Sequence, residues 1–254
     1  MIVIAHRGAN KEALENSYDA FERAVQAGAH RIELDVHLTR DGHPVVIHDH
    51  SLKHMLGIAR KVGDLTRQEI SQLKLPNGEG LPFLDEVIER FLNRIELNIE
   101  IKGHSSELAE KVGAMLHDHR QREKIIVSCF HREPLEYLAD EYPELKRACL
   151  WGEDNLGWPR FAHYAPGVFL DICRTNILHP KLNLIDSNLM DQAHARGWII
   201  YGWSPMIGED GDREGIWTTL KTLGVHGFCT NYPRQLVHWL KEASLDEASY
   251  HPEA

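Results

Sequence analysis

The sequence predicts an α/β protein, a (β/α)8 TIM barrel, from three observations. Short apolar runs alternate with longer amphipathic stretches along the chain, which is the pattern of strand–helix units around a parallel sheet. Eight such runs within 254 residues match the number of strands and the typical length of this barrel. Glycines stand just beyond several helical patterns, where left-handed caps end helices. We expect a single domain over 1–254, with an open doubly wound sheet as the rival fold.

The predicted strands are short, rich in β-branched residues and bounded by polar segments. They cover 2–6, 31–36, 95–101, 125–130, 147–151, 168–172, 198–203 and 227–230. Helical patterns follow most of these strands. They cover 17–27, 105–119, 133–141, 187–195, 213–223 and 233–243.

An extra segment follows the second strand. The apolar run 45–48 comes after the turn signal Asp41-Gly42, and we expect it to return as a hairpin arm or an irregular barrel strand. From 49 to 81 the sequence is polar and rich in glycine and lysine, with one helical pattern at 67–73. We interpret 49–81 as a short insertion near the barrel mouth.

Composition excludes several classes of function. The chain has 28 Lys and Arg residues against 38 Asp and Glu residues, and this net charge of −10 argues against a nucleic-acid partner or a polybasic membrane anchor. Its apolar runs are far shorter than the roughly 20 residues of a membrane span. The first residues lack the apolar core of a signal peptide, so we expect a cytoplasmic protein without stable membrane insertion. The sequence leaves the oligomeric state open.

Acidic side chains stand at the ends of predicted strands, where barrel enzymes place their functional residues. Glu33 and Asp35 lie two apart on the second strand, so both carboxylates point to one face. Glu100 stands near the end of the third strand and shares a face with Lys102. One such pair is more often an exposed face or an ion pair, but carboxylates at several strand ends favour a site for one divalent cation, Mg²⁺ or Ca²⁺.

Histidines and cations accompany these carboxylates. His6 and His48 end two strands, and histidine is the side chain best suited to exchange protons near neutral pH. Arg7 and Lys102 supply positive charge beside the acidic site, as the binding of a phosphodiester anion requires. Either histidine alone is more often a structural or exposed residue. Together these side chains predict metal-assisted phosphoryl chemistry with a histidine acid/base pair.

Seven motifs stand in a fixed order over nearly the whole chain. They are His6-Arg7-Gly8, Glu15-Asn16-Ser17, Ile32-Glu33-Leu34-Asp35-Val36, Thr39-Arg40-Asp41-Gly42, Val45-Val46-Ile47-His48-Asp49, Asn98-Ile99-Glu100-Ile101-Lys102 and Gly227-Phe228-Cys229-Thr230-Asn231-Tyr232-Pro233. This ordered set resembles the signature of the glycerophosphodiester phosphodiesterase family. The resemblance implies a barrel of the kind found in phosphatidylinositol-specific phospholipase C.

The resemblance also implies residue roles. Glu33, Asp35 and Glu100 match the divalent-cation ligands, and His6 and His48 match the acid/base pair. The matches to phosphate-facing positions are Arg7 and Lys102.

Three further residues are candidates for substrate contacts. Trp203 and Phe130 are expected to line the pocket, with a role as core aromatics as the plain alternative. Glu15 stands at a helix entrance, where it orients a catalytic group or simply favours the helix N-terminus. We favour a place in the active site for Glu15.

The sequence departs from the family pattern at two single residues and in one segment. Leu14 replaces a proline, Trp203-Ser204-Pro205-Met206 replaces a Trp-Thr-Val-Asn segment, and Asn231 replaces an aspartate near the last strand end. None falls on the matched metal or histidine positions. We expect Leu14 to affect only its loop, and the departures around Trp203 to affect substrate choice, since this segment should line the pocket.

The leading hypothesis is hydrolysis of glycerophosphodiesters to sn-glycerol 3-phosphate and an alcohol. An alternative is a lysophospholipase D or sphingomyelinase-D-like activity on lipids, which needs an apolar mouth. Within 49–81, only Met55, Leu56 and Ile58 offer an apolar cluster. A catalytically silent barrel that binds phosphorylated ligands is a third possibility, but no matched carboxylate or histidine is missing to support it.

Overall fold

Parallel strands form a closed barrel in a computed structural model that describes residues 1–152, 165–204 and 213–249. The strands are β1 (Ile2–His6), β2 (Arg31–Leu38), β3 (Pro44–Val46), β4 (Glu96–Ile101), β5 (Ile125–Cys129), β6 (Lys146–Trp151), β7 (Ile177–Pro180), β8 (Ile199–Trp203) and β9 (Gly227–Thr230). Hydrogen bonding runs in the order β1-β9-β8-β7-β6-β5-β4-β2, and pairing of β1 with β2 closes the ring. The (β/α)8 barrel is confirmed, and the open sheet is excluded.

The helices pack around the barrel, apart from the two within 49–81, which belong to the insertion. They are α1 (Tyr18–Ala27), α2 (Lys53–Leu56), α3 (Arg67–Ser71), α4 (Leu84–Phe91), α5 (Ser106–His117), α6 (Arg132–Glu141), α7 (Pro166–Ile172), α8 (Ser187–Arg196), α9 (Arg213–Thr222) and α10 (Pro233–Ser249). Ser17 caps α1 by accepting from the backbone N–H of Ala20, and Gly28 ends it in the left-handed conformation. No helix among the described residues combines the length and apolarity needed to cross a bilayer.

Strand alternation separates the apolar core from the site. On β2, Ile32, Leu34 and Val36 are buried in the main core, which extends between the sheet and the helices. The intervening Glu33 and Asp35 therefore point into the barrel, because successive strand residues face opposite sides. A period of two thus places the polar residues of β2 inside the ring.

The insertion has a small core of its own. β3 pairs antiparallel with β2, which confirms the expected hairpin arm. Helix α3 begins with a capping box between Thr66 and Glu69 and covers the first part of the predicted 67–73. A second apolar cluster holds the segment together. It contains Val45, Ile47, Leu52, Val62, Leu65, Ile70, Leu75, Leu81 and Phe83.

One strand prediction is wrong. The run 168–172 lies in α7, and the barrel strand at this point is β7, which the sequence analysis missed. In α7, Phe169 and Leu170 are buried whereas Val168 is exposed, as expected for one face of a helix that begins at a proline. A short apolar run cannot be assigned by periodicity alone, and β7 ends in a proline, which argues against a strand in sequence.

Candidate active site

A cavity of about 400 Å³ lies at the carboxyl ends of the barrel strands. It brings together most of the predicted site residues, namely His6, Arg7, Glu33, His48, Glu100, Lys102, Phe130 and Trp203. Asp35 and Glu15 are not among its lining residues, and both form ion pairs with Arg7. Asn98 and Cys229 also line the cavity, and both stand in the family motifs without a predicted role. The remaining lining residues carried no signal in the sequence: Ile4, Leu150, His179 and Lys181.

The three acidic residues form one cluster. Glu33, Asp35 and Glu100 are buried, and each offers a carboxylate oxygen within 4.8 Å of the others. They meet because β2 and β4 are neighbours in register, with Asp35 opposite Glu100. The amide of Asn16 donates to Asp35 Oδ2 at 2.8 Å and helps to orient that carboxylate.

Two cations border the acidic cluster. Lys102 Nζ lies 2.7 Å from Glu100 Oε1 and 3.1 Å from Asp35 Oδ1. Arg7 Nε lies 3.3 Å from Asp35 Oδ2, an ion pair without hydrogen-bond alignment. The Arg7 backbone N–H donates to Glu33 Oε2 at 3.0 Å. Asp35 is thus paired with two cations, whereas Glu33 receives only a backbone donor from this group.

The electrostatics follow this pairing. Burial opposes ionisation of Asp35, but Lys102 and Arg7 outweigh it and hold the pKa of that carboxyl below its usual value. Burial, together with the charge of Asp35, raises the pKa of both Glu33 and Glu100. Both glutamates therefore lack sufficient positive charge around them.

A hard divalent cation fits this cluster. Carboxylate oxygens are the ligands that Mg²⁺ and Ca²⁺ prefer, and three of them converge here in a buried position. The raised pKa values of Glu33 and Glu100 are the sign of uncompensated negative charge, which a cation would neutralise. Among the described residues, no other group of three or more acidic, histidine or cysteine side chains converges in this way.

The loop between β1 and α1 holds Arg7 in place. Arg7 and Asn16 adopt positive φ angles of 54° and 53°, and Gly8 has φ of 81°. A Cβ on Gly8 would lie 2.7 Å from the backbone of Ala20, so only glycine allows this loop to lie against α1. Glu15 accepts from Arg7 Nη1 at 2.9 and 3.1 Å, so the structure places Glu15 as a support for Arg7.

Asparagines surround His6. Its Nδ1 lies 2.6 Å from Asn231 Oδ1, and the same oxygen accepts from Asn10 Nδ2 at 2.7 Å. An amide oxygen has no proton to give, so Nδ1 is the donor and Nε2 is left unprotonated in the neutral ring. Burial, with the charge of Arg7, lowers the pKa of His6 to about 4 and keeps the ring neutral at pH 7. Asn231, a departure from the family pattern, thus contacts a matched histidine.

His48 has a charged partner instead. Its Nδ1 lies 2.8 Å from Asp49 Oδ1. Burial opposes ionisation of Asp49, but the contact with His48 outweighs it and lowers the pKa of that carboxyl. The backbone carbonyl of His48 lies 2.9 Å from His37 Nε2. His6 and His48 therefore differ in their partners, an amide for His6 and a carboxylate for His48.

The predicted aromatic residues meet across the cavity wall. The rings of Phe130 and Trp203 are 5.5 Å apart and nearly perpendicular. Trp203 Nε1 donates to the carbonyl of His179 at 2.9 Å, which fixes the indole on β8 against β7. Of the segment that departs from the family pattern, Pro205 and Met206 lie outside the described residues.

A closed barrel that gathers acidic, basic and histidine side chains around one cavity is typical of an enzyme that acts on a phosphate ester. The sequence profile of the Glycerophosphoryl diester phosphodiesterase family matches residues 6–235, and the chain therefore belongs to this family. This result confirms the resemblance and the enzyme class, that of a phosphoric diester hydrolase.

Relatives and a solved structure agree with the family. A glycerophosphodiester phosphodiesterase of Caldanaerobacter subterraneus is 31% identical over 252 residues, covering 95% of this chain and 98% of the relative. Lysophospholipase D GDPD1 of Rattus norvegicus is 36% identical over 278 residues, covering 95% of this chain and 86% of the relative. An Oleispira antarctica phosphodiesterase, solved with the product sn-glycerol-3-phosphate, has a TM-score of 0.81 at 24% identity, with 95% of this chain and 97% of that chain covered. At that identity the last likeness shows the fold alone.

Proposed function

We propose that this protein hydrolyses glycerophosphodiesters to sn-glycerol 3-phosphate and an alcohol, with one divalent cation and a histidine acid/base pair. The observation that supports it is the meeting of His6, His48, Arg7 and Lys102 with the acidic cluster around one cavity. Glu33, Asp35 and Glu100 would hold the cation, Mg²⁺ or Ca²⁺. When bound, the cation supplies positive charge against the phosphate oxygens.

Arg7 and Lys102 bind the phosphodiester anion in this proposal. Both lie at the cavity wall, and the charge on each is secured by acidic neighbours. Burial of Lys102 is outweighed by Glu100 and Asp35, which raise its pKa, so this side chain remains an ammonium throughout the working pH range. Fixed cations of this kind stabilise the charge that develops on the phosphate in the transition state.

The partners of the histidines suggest their roles. His6 presents an unprotonated Nε2, because Asn231 accepts from Nδ1, and we assign it as the base that takes the proton of the attacking hydroxyl. The Asp49 carboxylate contacts Nδ1 of His48 and orients the ring, and we assign His48 as the acid that protonates the leaving alcohol.

A lipid-directed activity is the second candidate. The lysophospholipase D relative named above favours it. The expected apolar mouth is less evident, because Met55, Leu56 and Ile58 pack against the small core of the insertion. These side chains are therefore partly buried and present less apolar surface to a lipid.

The test is the release of sn-glycerol 3-phosphate from a panel of diesters. Glycerophosphocholine, glycerophosphoethanolamine and lysophosphatidylcholine are compared at matched concentrations with purified protein. Release from the two deacylated diesters is the expected result. Choline release from lysophosphatidylcholine alone would favour the lipid-directed activity, and no release from any of the three would contradict both candidates.

A further inference from the structure

The cavity floor contains two polar side chains for which the proposed reaction has no role. We define this floor by Ile4, Asn98, His179 and Cys229, all of which line the cavity. Asn98 lies two residues before Glu100 on β4, and His179 lies two residues before Lys181 at the end of β7. Since side chains two apart on a strand share a face, Asn98 and His179 lie one inward position deeper than Glu100 and Lys181, which define the upper layer.

Both floor side chains contain unpartnered polar atoms. Asn98 is 1% and His179 is 4% exposed. The amide of Asn98 donates from Nδ2 to Ser128 Oγ at 3.1 Å, but its Oδ1 has no hydrogen-bond partner within the described ranges. His179 Nε2 also lacks a partner there, and its ring lies edge-on to Tyr201 at 5.3 Å. A buried polar group without a partner destabilises a fold, so these atoms indicate a ligand that supplies the missing bonds.

The chemistry of the floor selects the kind of ligand. Burial and the charge of Arg31 lower the pKa of His179 to about 3, so its ring is neutral at pH 7. An amide and a neutral imidazole can each donate or accept a hydrogen bond, but neither can neutralise an ion. A hydroxyl group, which both donates and accepts, is the complementary partner.

We propose that Asn98 and His179 bind the terminal hydroxyl of the substrate's glycerol group, an inference that rests on the proposed function. With the phosphate at Arg7 and Lys102, the 2-hydroxyl stays beside phosphorus in the upper layer. The terminal hydroxyl is one carbon further along and is the group that can extend to the floor. Lysophospholipids with a 1-acyl chain have an ester at this hydroxyl, so the floor would select deacylated diesters against them.

The test removes this one hydroxyl from the substrate. Wild-type protein is assayed with glycerophosphocholine and with 2-hydroxypropyl phosphocholine, which keeps the 2-hydroxyl and lacks the terminal one. We expect kcat/KM to be about 3- to 10-fold lower for the analogue, the scale of one lost hydrogen bond. In His179→Phe, kcat/KM for glycerophosphocholine should fall by a similar factor while that for the analogue stays nearly unchanged.

Two further measurements separate ligand binding from a structural role. Ile177→Val alters the next inward position of β7 below His179 and should leave the ratio of the two diesters as in wild type. His179→Phe should raise the urea midpoint of unfolding, because it removes an unpartnered polar atom from the interior. A lowered midpoint would show that His179 stabilises the empty fold, and would contradict the proposal.

The outcomes distinguish this inference from the proposed function. Equal kcat/KM for the two diesters in wild type would overturn the hydroxyl site and leave the proposed function intact. Absence of sn-glycerol 3-phosphate release from glycerophosphocholine would overturn the proposed function, and with it this inference. The wild-type comparison requires no variant, so it decides the matter even if His179→Phe does not fold.

Discussion

The two halves of the barrel contribute different side chains to one cavity. The half from β1 to β4 supplies the acidic cluster, Arg7, Lys102 and the predicted histidine pair, His6 and His48. The half from β5 to β9 supplies mainly apolar and neutral polar surface, with Phe130, Leu150, His179 and Trp203, and Lys181 is its cation. The first half thus provides the charged and acid/base side chains, and the second half provides most of the remaining pocket wall. Substitutions in the first half should lower the turnover of every substrate. Substitutions in the second half should alter substrate choice, the orientation of the His6 ring or the stability of the fold.

The largest effect is expected from loss of the cation. Chelation with EDTA should abolish release of sn-glycerol 3-phosphate, because Glu33, Asp35 and Glu100 would lose the charge that compensates them. Glu100→Gln should keep the fold, seen by circular dichroism, and reduce the rate to background. The exposed Glu89→Gln is the control and should behave as wild type. Full activity after exhaustive chelation would contradict the metal assignment, and rescue by Ca²⁺ but not Mg²⁺ would identify the ion.

Removal of either histidine should cost less than removal of the cation. His6→Ala and His48→Ala are each expected to lower kcat at least ~10²-fold, the usual contribution of a general acid or base. His43 stands near the same hairpin outside the lining residues, and His43→Ala serves as the matched control. An equal loss of kcat in His43→Ala and His48→Ala would contradict the assignment of His48 to the acid/base pair.

The nucleophile can be tested on the substrate. The 2-hydroxyl of the glycerol group is held near phosphorus, so its attack through a cyclic phosphate avoids the entropy of capturing water. A 2-deoxy analogue of glycerophosphocholine should bind, measured as competitive inhibition, but turn over at least ~10²-fold more slowly. Phosphorus NMR should detect the cyclic phosphate with the normal substrate. Equal rates for both diesters would favour direct attack by water.

A smaller effect is expected where the halves meet, at the contact of β9 with β1. Asn231→Ala should lower kcat by ~10-fold with little change in KM, because His6 loses the acceptor that orients its ring. Asn231→Asp retains an acceptor oxygen and should recover most of the rate. The exposed Asn77→Ala is the control. Loss of folding stability without any loss of kcat would assign Asn231 a purely structural role.

The smallest effect is on stability and belongs to the second half. His179 has a folded-state pKa of about 3, below the value of about 6.5 for an unfolded chain, so only the unfolded chain binds a proton between these values. Titration of His179 therefore leaves the unfolding free energy nearly unchanged above about pH 6.5 and lowers it as the pH falls toward 3. Between pH 7.5 and 5, wild type should lose about 2 kcal/mol more of its unfolding free energy than His179→Phe. Urea titrations at both pH values measure this difference, and equal losses would refute the buried neutral state.

Local patterns were informative for the first half of the barrel. Glu33 and Asp35 share a strand face by their spacing alone, and Glu100 follows the same rule on β4. Ser17 and Gly28 mark the ends of α1, because a side-chain cap and a left-handed glycine satisfy the backbone groups at its two ends. The acidic cluster and the strands around it could therefore be predicted without a structure.

The second half depended on contacts that no local pattern describes. Apolar residues at 168–172 suit a strand or a buried helix equally, and only packing made them α7 and assigned the barrel position to β7. A lone histidine such as His179 carries no signal in a chain with 17 of them.

The sequence by itself determined the barrel, the acidic cluster and the catalytic candidates, because strand period, helix caps and ordered motifs are properties of neighbouring residues. The tertiary structure decided which partners those residues have. His6 and Asn231 are 225 positions apart and meet only because β9 pairs with β1 to close the ring. Glu15 supports Arg7 rather than lining the cavity, and Asn98 and His179 share one floor, since closure of the barrel turns distant strands toward a common interior.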